Sequence, residues 1–160
     1  MNNKIKSQEE ITNIAEQLRK QNKIIVTTNG SFDILHSAHI NLLQKAKEQG
    51  DVLIVLLNSD SSIKINKGPS RPIIPQNERA LMLSALEAVN YITIFNEETP
   101  MVLLEKIKPH KHAKGGSVIQ ERIAKEKELL SKWKGEFISL PLEEGFSTTN
   151  IIQKVLDLHK

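Results

Sequence analysis

The amino-acid sequence predicts an α/β fold, a doubly wound, five-stranded parallel sheet with helices on both faces. Two observations predict it. Short β-branched runs alternate along the chain with longer stretches of helical periodicity, as parallel strands joined by crossover helices require. The second of these runs, Asp51 to Leu57, is almost continuously apolar, the pattern of a strand covered on both sides.

Each element has its own signal. Ser7 is a candidate N-cap for a helix to Lys20, with Ile11, Ile14, Ala15 and Leu18 at helical spacing. Lys23 to Thr28 reads as a buried strand. Asn29-Gly30 reads as a turn, and a helix runs from about His39 to Gln49, where Gly50 stops it. After the Asp51–Leu57 strand comes a polar loop, Asn58 to Pro75, punctuated by Gly68, Pro69, Pro72 and Pro75. A loop so long is usually functional or mobile. Gln76 to Val89 is expected to be helical, with Leu81, Met82, Ala85, Leu86 and Val89 on one face. Tyr91–Phe95, Lys111–Lys114 and Glu136–Leu140 read as the remaining strands. Helices are expected at Pro100–Ile107, Ile119–Lys134 and Thr148–His159. The arrangement is Rossmann-like, and one domain over residues 1–160 is expected, with residues 1–22 packed on it as a helical segment.

Composition narrows the function. A net charge of +3 suits an anionic ligand, while 4% aromatic residues leave little to stack on nucleic-acid bases. Without cysteine there is no disulfide framework and no thiolate metal site. The polar start, Met1 to Lys6, has no signal-peptide core, and a soluble cytoplasmic protein is expected.

Sheets of this kind bind ligands beyond the carboxyl ends of their strands. The first such loop reads Thr28-Asn29-Gly30-Ser31-Phe32-Asp33-Ile34-Leu35-His36-Ser37-Ala38-His39. Gly30 can take a positive φ, turning the backbone so that amides meet an anion at a helix mouth. His36 and His39, three residues apart, would stand together and donate to phosphate oxygens as charge builds there. A two-histidine metal site lacks a carboxylate at ligand spacing.

The second loop carries Asn58-Ser59-Asp60 and Lys67-Gly68-Pro69-Ser70-Arg71-Pro72. Lys67 there is either a solvated lysine or a point charge over a triphosphate. Lys114-Gly115-Gly116-Ser117 is a plain turn, or a surface on which a base lies without Cβ interference. In Glu144-Gly145-Phe146-Ser147-Thr148-Thr149-Asn150, Ser147 or Thr148 caps the last helix, whose free amides could also bind terminal phosphates. Neither a Walker-type loop nor Gly-x-Gly-x-x-Gly occurs.

These four loops, in this order, resemble the cytidylyltransferase-like superfamily of nucleotidyltransferases, with its His-x-Gly-His signature after the first strand and its Ser-Thr-Thr-type signature before the last helix. Within it they are most similar to the D-glycero-β-D-manno-heptose 1-phosphate adenylyltransferases, over residues 5 to 155, with Glu78-Arg79 as a further match. The resemblance implies transfer of AMP from ATP to a sugar 1-phosphate, with Mg²⁺ accompanying the triphosphate and pyrophosphate leaving. By position, His36, His39 and Lys67 would be catalytic. Asn29, Gly30, Ser31, Phe32, Ala38, Arg79, Lys114, Gly115, Gly116, Ser147, Thr148 and Thr149 would bind the nucleotide. Asn58, Asp60, Lys67 and Arg71 would bind the acceptor. No residue is expected as a metal ligand. Neither nucleic acid nor membrane is an expected partner, but a homo-oligomer is. The alternatives are a CTP-dependent transfer to glycerol 3-phosphate or a related alcohol phosphate, and a non-catalytic nucleotide-binding module.

Three positions depart from the pattern. Ala38 replaces the signature glycine, Ser117 an aspartate, and His110-Lys111-His112-Ala113 an apolar strand.

Overall fold

The computed structural model describes residues 3–116, 119–141, 145 and 147–159. Five strands, β1 (Ile25–Gly30), β2 (Val52–Asn58), β3 (Tyr91–Phe95), β4 (Lys111–Gly115) and β5 (Glu136–Leu140), form one sheet in the order β3-β2-β1-β4-β5. Every pairing is parallel. The chain winds outward from β1 through β2 to β3, then returns to lay β4 on the other side of β1. The topological switch point, where such sheets bind ligands, therefore lies between β1 and β4.

The helices are α1 (Gln8–Lys20), α2 (Ser37–Lys47), α3 (Asp60–Lys67), α4 (Gln76–Ser84), α5 (Met101–Ile107), α6 (Gln120–Ser131) and α7 (Thr148–Leu158). Side chains alternate across the central strands. Val26, Leu53, Val55 and Leu57 join α2 and α4 in one core, through Leu42, Leu43, Ala80 and Leu83. Ile25, Ile54 and Leu56 join α1, α5 and α6 in a second, through Ile11, Ala15, Leu103, Leu104 and Leu129. Each fully buried aliphatic side chain contributes about 1.5–3 kcal/mol. The doubly wound prediction is met.

At the start of α1, the Glu10 N–H donates to Ser7 Oγ at 3.1 Å and the Ser7 N–H to Glu10 Oε2 at 2.7 Å, a capping box closing two free amides.

Three local expectations are corrected. The stretch predicted as a polar loop contains α3, capped by Ser59 and stopped at Gly68, where φ is 88°. It reads as polar because Ser62 and Ile63 are its only buried residues. α4 ends at Ser84 rather than Val89, and its buried face carries Arg79, Ala80, Leu83 and Ser84 while Leu81 is exposed. β1 runs straight through Asn29-Gly30, so no turn occurs there.

β4 forms despite its histidines. His112 is fully buried, with Nδ1 2.8 Å from Thr27 Oγ1, and burial, with Lys114 nearby, pushes it down to about 3. It fills the core as a neutral ring. His110 Nδ1 accepts the Ile25 N–H at 3.0 Å.

Candidate active site

Gly30 ends β1 without a positive φ. Its missing side chain matters for another reason: a Cβ there would stand 3.0 Å from the Phe32 ring. The sharp turning falls on Phe32 (φ 47°) and Ile34 (φ 53°), conformations that L side chains rarely adopt. Asp33, between them, is fully buried and holds them there. Its carboxylate accepts the Ile73 and Ile74 N–H groups, each at 2.9 Å, and Arg71 Nε at 2.8 Å. Its backbone carbonyl accepts Thr148 Oγ1–H at 2.6 Å. Burial alone would raise this carboxyl, but the two amides and the guanidinium outweigh it and hold the group below its ordinary value. Asp33 thus fastens the β1 loop to the segment before α4 and to the start of α7. The sequence reading gave it no role; the local signal was a lone carboxylate inside Phe32-Asp33-Ile34.

His36 is the N-cap position of α2, with extended backbone, so its ring and that of His39 in the first turn lie together. They stack at 3.8 Å between centroids, 27° from parallel, and Phe32 meets His39 edge-on at 5.3 Å. The His36 N–H donates to His39 Nδ1 at 3.4 Å, which assigns the proton of neutral His39 to Nε2. Burial, then the charges of His36 and Lys67, push His39 down to about 4, and burial lowers His36. Two neutral N–H donors stand side by side at pH 7.

Lys67, at the end of α3, donates to Ser31 Oγ at 3.1 Å. Burial first, then Arg71, lower its ammonium below the ordinary lysine value, so an anion arriving here gains a cation already partly desolvated. At the start of α7, Ser147 Oγ accepts the Asn150 N–H at 3.1 Å, capping one of the first-turn amides.

These groups meet. A cavity of about 560 Å³ is lined by Asn29, Gly30, Ser31, Phe32, His36, Ala38 and His39 from the β1 side, and by Asn58, Lys67 and Arg71 from the β2 side. Lys114 and Gly115 line it from β4, and Ser147, Thr148 and Thr149 from α7. Ala38 is 4% exposed, its methyl part of the cavity wall.

Three expected ligand residues stand elsewhere. Arg79, expected at phosphate, is fully buried behind the site and spends its donors on protein. Nε reaches Ile74 O at 2.8 Å, Nη1 reaches Ser31 O at 2.6 Å and Asn58 O at 2.8 Å, and Nη2 reaches Asp60 Oδ1 at 2.7 Å. It ties the β1 and β2 loops together, because a guanidinium satisfies several carbonyls at once where no water reaches. Asp60 is consumed by that pair and lies outside the cavity lining, as does Gly116. Ser117, Glu144 and Phe146 lie outside the described residues.

Part of the wall carries no signal in the sequence. Arg122 Nη2 donates to Asn66 Oδ1 at 3.0 Å and to Glu98 Oε1 at 2.8 Å, linking α6, α3 and the segment after β3 along the cavity. Glu126 and Thr99 also line it. These positions carry no local motif and become neighbours only in the folded sheet. Among the described residues no group of three or more His, Asp or Glu side chains could hold a metal, and no helix is long and apolar enough to cross a membrane.

Known proteins resemble this chain over nearly its whole length. The chain is 41% identical over 157 residues to "Bifunctional protein HldE" of Syntrophotalea carbinolica, covering 98% of this chain and 32% of that one. It is 49% identical over 156 residues to the protein of the same name from Nitratiruptor sp., covering 94% and 32%. The chain thus spans about a third of the length of these curated relatives. Among solved structures, a lipopolysaccharide core biosynthesis protein from Thermoplasma volcanium superposes with a TM-score of 0.62 at 27% identity, covering 76% of this chain and 97% of that one. A pantoate-beta-alanine ligase from Francisella tularensis, solved in complex with beta-gamma ATP and beta-alanine, shares the fold with a TM-score of 0.65 at 17% identity, covering 98% and 79%. The cytidylyltransferase-like family model matches residues 27–154, from within β1 to within α7 and so across all four loops of the cavity. As its loop motifs led one to expect, the chain belongs to the cytidylyltransferase-like family.

Proposed function

We propose that this domain is an adenylyltransferase that transfers AMP from ATP to a sugar 1-phosphate, D-glycero-β-D-manno-heptose 1-phosphate, and releases pyrophosphate. The observation that carries the reading is the convergence of His36, His39, Lys67 and the start of α7 on one cavity at the switch point. Support for ATP and the sugar acceptor comes from the likeness of the loop motifs to the heptose adenylyltransferases. The relatives named bifunctional protein HldE and lipopolysaccharide core biosynthesis protein point the same way.

In this reading an acceptor phosphate oxygen attacks the α-phosphorus in line while the bond to pyrophosphate breaks. A phosphomonoester is largely dianionic at neutral pH, its second pKa being about 6, so no protein base is required. The chain positions and neutralises. His36 and His39 donate to non-bridging oxygens, Lys67 places its charge over the α-phosphate, and the first amides of α7 receive the outer phosphates. Lys67 and Arg71, both on the cavity wall, hold the acceptor phosphate, with Asn58 beside them. The groups set toward the phosphates, His36, His39, Lys67 and the first amides of α7, are donors that suit phosphate oxygens, and Mg²⁺ would come with the triphosphate and would spread its negative charge.

The test is pyrophosphate release by the purified protein, with ATP and CTP each offered heptose 1-phosphate, mannose 1-phosphate and glycerol 3-phosphate. Release with ATP and heptose 1-phosphate is expected. Release only with CTP and glycerol 3-phosphate would replace this reading by the cytidylyltransferase one.

A further inference from the structure

Glu126 is a charged residue for which phosphate chemistry has no use. It lies on α6 and is 2% exposed, yet it lines the large cavity. Its Oε1 pairs with the Lys114 ammonium, which comes from β4, next to Gly115 at the end of the strand. Its Oε2 is buried and has no hydrogen-bond partner among the described residues. A buried carboxylate oxygen left unpaired is costly, and a purely structural ion pair would gain by satisfying both oxygens. The unused acceptor is the feature to explain.

Its surroundings say what would satisfy it. A phosphate brings only acceptors and negative charge, so the partner is an uncharged donor, a hydroxyl or an amino group. Glu126 also lines a second recess of about 390 Å³, which shares Glu98, Thr99, Ile119 and Arg122 with the large cavity and adds Met101, Glu121 and Lys125. The hydroxyl, carboxylate and cationic groups of this wall suit the hydroxyls of a polyol, with Ile119 and Met101 left for its C–H faces. We propose that Glu126, positioned by Lys114 where the two cavities meet, is a specificity-determining residue that accepts a hydrogen bond from a hydroxyl of the sugar acceptor. This rests on the transfer reading above and names the contact by which that site would tell a polyol phosphate from a plain one.

The test is steady-state kinetics of wild type and Glu126→Gln with ATP and heptose 1-phosphate, alongside ATP titration by calorimetry. Gln presents an amide donor where the carboxylate oxygen stood. The expected result is a fall of roughly 10–100-fold in kcat/KM for the sugar, with the KM for ATP and its calorimetric affinity unchanged. Monodeoxy heptose 1-phosphates supply a second measurement that does not depend on the variant folding. In wild type, removal of one particular hydroxyl costs a similar factor, and in Glu126→Gln that penalty disappears. An unchanged sugar kcat/KM in the variant, or a wild type indifferent to every single deoxygenation, overturns the proposal while leaving the transfer reading intact. A rise in the ATP KM alone overturns it in favour of a contact to the base. If wild-type protein transfers AMP to no sugar 1-phosphate, the transfer reading itself falls, and this proposal with it.

Discussion

At the level of single residues, the proposed transfer rests on imidazoles kept neutral by their surroundings. Burial first pushes His39 down to about 4, so at pH 7 it would offer a triphosphate an N–H donor oriented by the His36 amide. Removing one such preorganised donor costs roughly 10²–10³-fold in turnover. That loss is the expected result for His39→Ala, read from kcat of a protein whose circular dichroism matches wild type. A folded His39→Ala enzyme working at the normal rate would take His39 out of the mechanism. The histidine pair was legible because its spacing is local, one turn of helix. Asp33 and Arg79 were not. One was passed over, and the other was expected at phosphate although its side chain is fully buried and spent on Ile74, Ser31, Asn58 and Asp60. A charged side chain looks the same in sequence whether it faces a ligand or holds the loops behind it.

Among elements, the site depends on three irregular segments agreeing in position. Asp33 is their common fastening, through Ile73 and Ile74, Arg71 and Thr148. Breaking a buried pair from one side leaves an uncompensated charge and typically costs about 3–5 kcal/mol. Asp33→Asn is therefore expected to lower unfolding stability by that order, measured as a shift in urea midpoint at constant slope. A midpoint within error of wild type would show that the three segments hold without it. Element types followed from periodicity and were mostly readable, including the capped start of α1. α3 was not readable, since two buried residues in eight leave no apolar stripe, and Ser59 with Gly68 marks only its two ends. The end of α4 was misplaced because Ala85, Leu86 and Val89 continue an apolar run in tight turns, their amides bonding to Met82, Leu83 and Leu86.

For the whole molecule, two neutral histidines, His112 buried and His39 half-buried, set the response to acid. His112 falls to about 3 and His39 to about 4, against an ordinary value of 6.5. Between those limits the unfolded chain binds more protons than the folded one, so stability rises with pH there and is lost as pH falls below 6.5. Each such group contributes up to about 1.4 kcal/mol per pH unit across its window. Urea midpoints are expected to drop between pH 7 and pH 5, with a shallower drop in His112→Leu. Midpoints flat over that range would mean that these rings are protonated in the fold.

The strand and helix alternation, the parallel character of the sheet and the motifs of the four loops can be read along the chain, because each is a local or periodic property of side chains. Which of those loops meet, and which charges face the cavity, emerges on folding. The order β3-β2-β1-β4-β5 sets β1 beside β4, and Thr148 reaches Asp33 across 115 residues of chain. Contacts of that range come from how helices seat on a twisted sheet, which no local spacing encodes.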